Sequence, residues 1–261
     1  MVPRAVQTLQ SASVIACEDT RHSKKLLNHF SIDKPCIPYH EHGDKNILKT
    51  LLQRLLDGED IALICDAGTP LISDPGYRIV TEARARGTDV VPIPGACAAI
   101  AALSVSGLPT DSFYFAGFLP AKTAQRKSAL TAIKARTETL IFYEAPHRIA
   151  DTLEDMIEVL GDDRSAFIGR EISKAFETFL QGDLAELQQQ VLADSNQQRG
   201  EIVLAVAGAH QKSDAVSIDA EKMLKLLVNE LPPSKAASLT AKICNADKKV
   251  LYKMALALLG K

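Results

Sequence analysis

Apolar runs and amphipathic stretches alternate through the first hundred residues of the chain. The runs at 13–17 and 61–65 are almost wholly apolar, as strands are when both faces of a parallel sheet are covered. Shorter runs at 35–39 and 89–93 predict two more strands. Helix patterns separate them: a basic one around Lys24, Lys25, Leu26 and Leu27, amphipathic ones over 47–56 and 77–86, and an Ala-rich one opening at Cys97-Ala98-Ala99. Another helix pattern stands at the front, with Pro3 suited to its first turn. This rhythm predicts an open, mostly parallel α/β sheet.

The rhythm breaks at Gly107-Leu108-Pro109-Thr110-Asp111. Beyond it, strand patterns at 112–119, 139–143, 165–169, 176–180 and 201–206 come partly in pairs, with helices at 122–136, 146–160 and 183–193. That mixture predicts an α+β domain with a mixed sheet. A polar linker, His210-Gln211-Lys212-Ser213, leads to three short helices at 219–229, 233–244 and 247–259. The expected domains are therefore 1–110, 111–210 and 215–261. From Pro232 onward, Lys235, Lys242, Lys248, Lys249, Lys253 and Lys261 stand against Asp247 alone, the pattern of a phosphate-binding surface or of a solvated lysine-rich tail.

Composition narrows the classes. A hydrophobic fraction of 46% over 261 residues is ample for a core, and a net charge of −2 leaves any nucleic-acid contact to a local patch. No apolar run approaches the roughly 18 residues of a membrane span, so no membrane partner is expected. Cys17, Cys36, Cys65, Cys97 and Cys244 are odd in number and scattered, which predicts reduced thiols in a cytoplasmic protein. Neither a dinucleotide nor a P-loop fingerprint occurs. His40-Glu41-His42 is a conceivable metal pair but reads better as a surface or substrate-facing loop, and no metal is expected.

Three strand ends deliver polar or small-residue loops: Glu18-Asp19-Thr20, Asp66-Ala67-Gly68-Thr69 and Pro94-Gly95-Ala96. In a parallel sheet all three emerge on one edge, where α/β folds bind ligands. The stretch 66–77 is dense in turn formers (Gly68, Pro70, Asp74, Pro75, Gly76), which suits an irregular loop offering backbone groups to a polar cofactor, or a rigid connection with no ligand.

Six segments stand in unbroken order: Glu18-Asp19-Thr20-Arg21-His22, the stretch 66–77, Pro92-Ile93-Pro94-Gly95, Gly117-Phe118-Leu119-Pro120, the stretch 140–148 from Leu140 through Tyr143-Glu144-Ala145-Pro146-His147-Arg148, and Arg170-Glu171-Ile172-Ser173-Lys174. Together they resemble the ribose methyltransferase branch of the tetrapyrrole (corrin/porphyrin) methylase superfamily. The resemblance implies a two-lobed α/β enzyme with a small helical C-terminal appendage, usually a homodimer, with S-adenosylmethionine in the cleft between lobes. Its substrate would be the ribose 2′-hydroxyl of a cytidine in 16S ribosomal RNA of the 30S subunit. Carried over, Asp66, Ala67, Gly68, Thr69, Pro94, Ala96 and Cys97 would line the cofactor. Tyr143, Glu144 and Ala145 would close over it, with Gly200 and Glu201 nearby. The family's C-terminal piece is expected to grip RNA, in accord with Lys235, Lys248 and Lys249.

Members of this branch begin with one more strand and a Thr-Pro-x-Gly-Asn-type loop ahead of the Pro-Arg-Ala that stands here at 3–5. The expectation is that Met1 is an internal methionine, because a sheet lacking an interior strand leaves buried backbone groups unpaired at about 1–3 kcal/mol each.

Methyl transfer from a sulfonium needs in-line geometry and removal of the hydroxyl proton, for which a general base contributes roughly 10²–10⁴-fold. Asp74, Glu144 and His147 are the candidates, with Glu18 and Asp19 behind them. Asp74 alternatively caps the helix after Pro75, and His147 alternatively touches RNA or caps a helix. Arg21, Arg148, Arg170 and Lys174 read as phosphate ligands or structural ion pairs, and Lys122, Arg126 and Lys127 as a cluster guiding RNA. Two rival readings are a methyltransferase acting on a tetrapyrrole precursor or a modified protein side chain, and a non-catalytic RNA-binding factor.

Overall fold

α1 (Pro3–Ser11) begins on a proline whose missing N–H would have had no helical partner anyway. It leads into β1 (Val14–Cys17), buried along its whole length. α2 (Thr20–His29) is capped by Asp19, whose carboxylate accepts from the N–H of Arg21 and His22. Then come β2 (Cys36–Pro38), α3 (Lys45–Leu56), β3 (Ile61–Ile64), α4 (Tyr77–Ala85) and α5 (Ala98–Val105). The computed structural model describes residues 1–41, 43–209, 218–244 and 246–259; His42, the linker at 210–213 and Lys261 lie outside the described residues.

The first sheet runs β2-β1-β3, all parallel. Side chains alternate across it. Val14 and Ala16 pack against Leu48 and Leu51 of α3 and Ile79 of α4, while Ile15 and Cys17 pack against Leu9 of α1 and Leu27 of α2. The run at 89–93, expected as a strand, forms no ladder; it is extended chain with Val91 62% exposed. A strand exists through its hydrogen-bonded neighbour, and among the described residues none lies beside this segment.

The second sheet is built from β4 (Phe113–Phe118), β5 (Thr139–Glu144), β6 (Ser165–Arg170), β7 (Thr178–Asp183) and β8 (Ile202–Val206), with α6 (Thr123–Ile133), α7 (Ile149–Leu160) and α8 (Leu184–Ala193) between them. Its order is β4-β5-β8-β6-β7, with β4 parallel to β5 and the other pairs antiparallel, so the sheet is mixed. One face sets Leu140, Phe142, Ile168 and Leu204 against α7 and α8. The other sets Ile141, Phe167, Val203 and Ala205 against Ala99, Ala102 and Leu103 of α5. α5 thus carries the end of the first half of the chain onto the second sheet.

The described chain divides into two compact units, Met1–Gly208 and Ala209–Lys261. The second consists of α9 (Ile218–Glu230), α10 (Pro233–Cys244) and α11 (Lys248–Leu258) around Leu224, Ala236, Ala237 and Leu251. No helix among the described residues is long and apolar enough to cross a membrane.

One expected surface residue belongs to the core. Arg126 of α6, read from sequence as an RNA contact, is 2% exposed. Its Nε donates to the buried carboxylate of Asp155 on α7 at 2.5 Å and its Nη1 to the carbonyl of Ala121 at 3.2 Å. A guanidinium so placed ties two helices and cannot meet a phosphate. Asp155→Ala leaves that charge buried and unpaired, and equilibrium urea unfolding should show a loss of about 3–5 kcal/mol. A loss below about 1 kcal/mol would mean that Arg126 reaches water.

Candidate active site

β1 and β3 run in the same direction, so Glu18-Asp19 and the stretch from Cys65 to Thr69 leave the first sheet on one edge. The Asp19 N–H donates to Asp66 Oδ1 at 3.4 Å, and Thr69 Oγ1 donates to the carbonyl of Ala96 at 3.4 Å. Those two bonds join the three loops expected to converge, even though 89–93 is not a strand. Asp66, Ala67, Gly68, Pro94 and Ala96 are exposed, Thr69 and Cys97 half-buried.

The second sheet presents a matching edge. Glu144 lies opposite Ile202, and Arg170 lies opposite the same residue on the other side. Phe118 lies beside Tyr143. One rim therefore gathers Gly117-Phe118, Tyr143-Glu144, Arg170-Glu171 and Gly200-Glu201, drawn from four strands. The loop from 66 to 77 approaches this rim: a Cβ on Gly117 would stand 3.3 Å from Ser73 Oγ, and Cys97 Sγ is 4.0 Å from Tyr143 Oη. Phe115 and Phe118 pack around the Tyr143 ring at centroid distances of 5.0 and 5.7 Å. Burial, and next Cys97, push the Tyr143 phenol up to about 12, which keeps it neutral.

Backbone strain collects in these loops. Leu71, Ser73, Glu171 and Ser173 hold left-handed conformations, and among the described residues Ser31 is the only other non-glycine to do so. Each costs about 1–2 kcal/mol and persists where the surroundings over-determine it, as at functional sites. Glu171 is fixed by its neighbours: its Oε1 accepts from the Glu201 N–H at 2.8 Å and from Lys174 Nζ at 2.9 Å, and Lys174 also pairs with Glu201. Lys174, then the Glu201 N–H, hold the Glu171 carboxyl below the ordinary range. The buried Arg170 donates to Gln197 Oε1, to Thr178 Oγ1 and to the carbonyls of Phe176 and Arg199, binding the segments on either side of this loop.

The three acid–base candidates occupy different environments. Glu144 is buried and saturated: Oε1 accepts from Arg148 Nε and Nη2 and from the Ala145 N–H, and Oε2 accepts from Thr152 Oγ1. Arg148 is thereby turned inward rather than left for RNA. His147 is exposed on a short 3₁₀ turn, Pro146–Arg148. Asp74 is half-buried beside Cys65, and it is not a helix cap. The N-cap of α4 is Gly76, and the carboxylate of Glu41 accepts from the N–H of Gly76 at 2.8 Å and of Arg78 at 3.1 Å. Burial first, then the charges of Glu18, Asp66 and Glu201, raise the Asp74 pKa; the thiol of Cys65 opposes them. Glu41 and the Gly117–Ser73 approach went unread in the sequence, where a cap reaching across the fold and a left-handed glycine leave no local pattern.

Of the expected RNA contacts, Arg21 is exposed and paired with Asp19, Lys122 is exposed, and Lys127 pairs with Glu158 at 2.5 Å. Lys235, Lys248 and Lys249 are exposed on α10 and α11 of the second unit.

This donor set fits a small, positively charged ligand. Glu18, Asp66 and Glu201 all lie close enough to Asp74 to raise its pKa, and among the described residues Glu201 is the only one of the four with a basic partner. Gly68 is left-handed with open space where a Cβ would stand, and the neighbouring Thr69 is bonded to the small Ala96.

The family described as Tetrapyrrole (Corrin/Porphyrin) Methylases matches residues 1–188, and the RsmI C-terminal HTH domain matches residues 214–259. The chain is 51% identical over 261 residues to Ribosomal RNA small subunit methyltransferase I of Pseudomonas aeruginosa, covering 99% of this chain and 93% of that one. It is 48% identical to the protein of the same name from Escherichia coli O157:H7, covering 97% and 88%. Among solved structures, the methyltransferase CobJ is similar at a TM-score of 0.59 and 16% identity, over 80% of this chain and 88% of that one. Diphthine synthase is similar at 0.55 and 14%, over 79% and 84%. The chain belongs to the tetrapyrrole (corrin/porphyrin) methylase family, in the group of ribosomal RNA small subunit methyltransferase I.

Proposed function

We propose that the chain transfers a methyl group from S-adenosylmethionine to the ribose 2′-hydroxyl of a cytidine in small-subunit ribosomal RNA, acting as a cytoplasmic homodimer. The observation that carries this reading is identity of 44–51% to proteins named for that RNA, over nearly the whole chain and with the C-terminal domain included. The tetrapyrrole-precursor alternative has only fold likeness behind it, at 13–19% identity. The donor supplies, when bound, an electrophilic methyl on a permanently charged sulfonium. Asp66, Ala67, Gly68 and Thr69 with Pro94, Ala96 and Cys97 would hold it, and Tyr143 and Ala145 would close over it, with Gly200 and Glu201 nearby.

Asp74 is the proton acceptor in this reading. Of the three leading candidates it is the carboxylate that is neither saturated nor spent on a cap, and its raised pKa makes it a stronger base than an ordinary carboxylate. Glu144 is a positioning residue that fixes the turn after Tyr143. Its partners leave no face for another proton donor.

Asp74→Asn should lower kcat on 30S subunits by roughly 10²–10⁴-fold while donor affinity by calorimetry changes less than about tenfold. In the wild type, activity should fall as pH drops through a pKa above the ordinary 3.8, where Asp74 takes up its proton. A carboxyl whose folded pKa is raised weakens the fold when ionised, and this cost disappears as pH falls through the folded pKa. Asp74→Asn should therefore be no less stable to urea at pH 7. Full activity in that variant would remove Asp74 from the chemistry.

Support for the dimer comes from α5, which is apolar all round yet has Ile100 49% and Val105 56% exposed. Ile100→Glu with Val105→Glu should convert the dimer to a monomer by light scattering. An unchanged mass would move the interface elsewhere.

A further inference from the structure

Building on the RNA-methyltransferase reading, we infer that the outward face of α2, with the concavity beside it, docks the phosphate backbone of the substrate RNA. α2 carries Arg21, Lys24 and Lys25 and no acidic residue. Arg21, Lys24, Lys25 and Asn28 recur at i, i+3, i+4 and i+7 and form one exposed stripe, while Ser23 and Leu27 turn to the core. Arg21 is paired with Asp19, but among the described residues no carboxylate lies within 4 Å of Lys24, Lys25 or Lys34. Next to the stripe, Thr20, Lys24, Asp33 and Lys34 line an open concavity of about 640 Å³. Its size falls within the roughly 300–1,000 Å³ of ordinary ligand sites. Asp33, its one carboxylate, is suited to accept a hydrogen bond from a ribose hydroxyl.

Arg21 stands at i, i+3 to Lys24 and i, i+4 to Lys25, the helical spacings at which like charges repel. Among the described residues only the Asp19 carboxylate, paired with Arg21, offsets that repulsion, so an anion bound across Lys24 and Lys25 would be stabilised. The stripe offers little apolar area, Leu26 being its flank at 38% exposure, which favours a polyanion over a lipid surface. Placement makes the surface productive. α2 starts at the rim of the active site, where the Asp19 N–H meets Asp66, so backbone held along α2 brings the adjoining nucleotide to that rim.

The test replaces Lys24, Lys25 and Lys34 together by Gln. Binding of small-subunit RNA is followed against salt concentration, and methylation of 30S subunits against substrate. Each phosphate contact on a single strand contributes about 0.7 to the log–log salt slope, so the slope should fall by about 2. KM for 30S subunits should rise at least about tenfold, with kcat at saturation and affinity for S-adenosylmethionine unchanged. Lys45→Gln with Lys49→Gln alters α3, which packs on the opposite face of the sheet, and should leave slope and KM at wild-type values. An unchanged slope and KM in the triple variant overturns the docking surface and leaves the enzyme reading standing. A wild-type protein that methylates neither 30S subunits nor their RNA overturns the reading beneath it.

Discussion

The carboxylate of Glu41 is the pin on which the active-site loop turns. It holds the N–H groups of Gly76 and Arg78 where the loop becomes α4, satisfying donors that the helix leaves open. Leu71 and Ser73 in that loop are left-handed, at about 1–2 kcal/mol each. A cap contributes roughly 0.5–2 kcal/mol, less than the two strains together. The balance comes from packing and tethers. Leu71 and Leu63 press against Gly76 so closely that a Cβ there would stand 2.5 Å from Leu71 Cδ1 and 2.9 Å from Leu63 Cδ2. Thr69 ties the loop to Ala96.

A cap supplied from elsewhere in the fold also changes what the loop's own acid can do. An aspartate bonded to helix N–H groups has its pKa lowered and its lone pairs occupied. Glu41 takes that duty, so Asp74 faces Cys65 and the acidic rim instead and moves the other way. The same division of labour recurs across the cleft. Glu144 accepts four hydrogen bonds and Arg170 donates four inside the protein, leaving Tyr143, Gly200 and Glu201 to present the surface. Positioning groups are buried and saturated, and reactive groups are left with a free face.

The sequence pattern made most elements legible, because unbroken apolar runs mark strands covered on both faces and amphipathic periodicity marks the helices packed on them. It failed at 89–93, where a β-branched run looks like a strand but pairing is a property of two segments. It failed again at Arg126, whose neighbours Lys122 and Lys127 do reach the surface. The helix TAQRKSALTAI carries no apolar stripe sharp enough to show which base faces inward. At the site, the loops were readable from turn formers, since glycine and proline act locally. The duties of Asp74, Glu41 and Glu144 were not, because each depends on a partner brought near only by folding. Glu144 and Arg148 are the exception: their i, i+4 spacing was in view, and the burial that makes the pair structural was not.

An acidic rim and a basic helix a few residues apart suit a reaction with two ligands of opposite charge. At physiological ionic strength the Debye length is about 8 Å, so exposed charges act on what lies next to them and little farther. In the proposed reaction the carboxylates of Glu18, Asp66 and Asp74 would favour a sulfonium at the rim, while Lys24 on α2 and Lys34 beside it would attract phosphates. The ion pair of Arg21 with Asp19 marks the seam between the two fields. A uniformly basic surface would draw RNA strongly but repel the donor, and a uniformly acidic one would do the reverse. Both signs stand on one strand-to-helix junction, Glu18-Asp19-Thr20-Arg21, so in the proposed reaction a single segment would orient the two ligands toward each other.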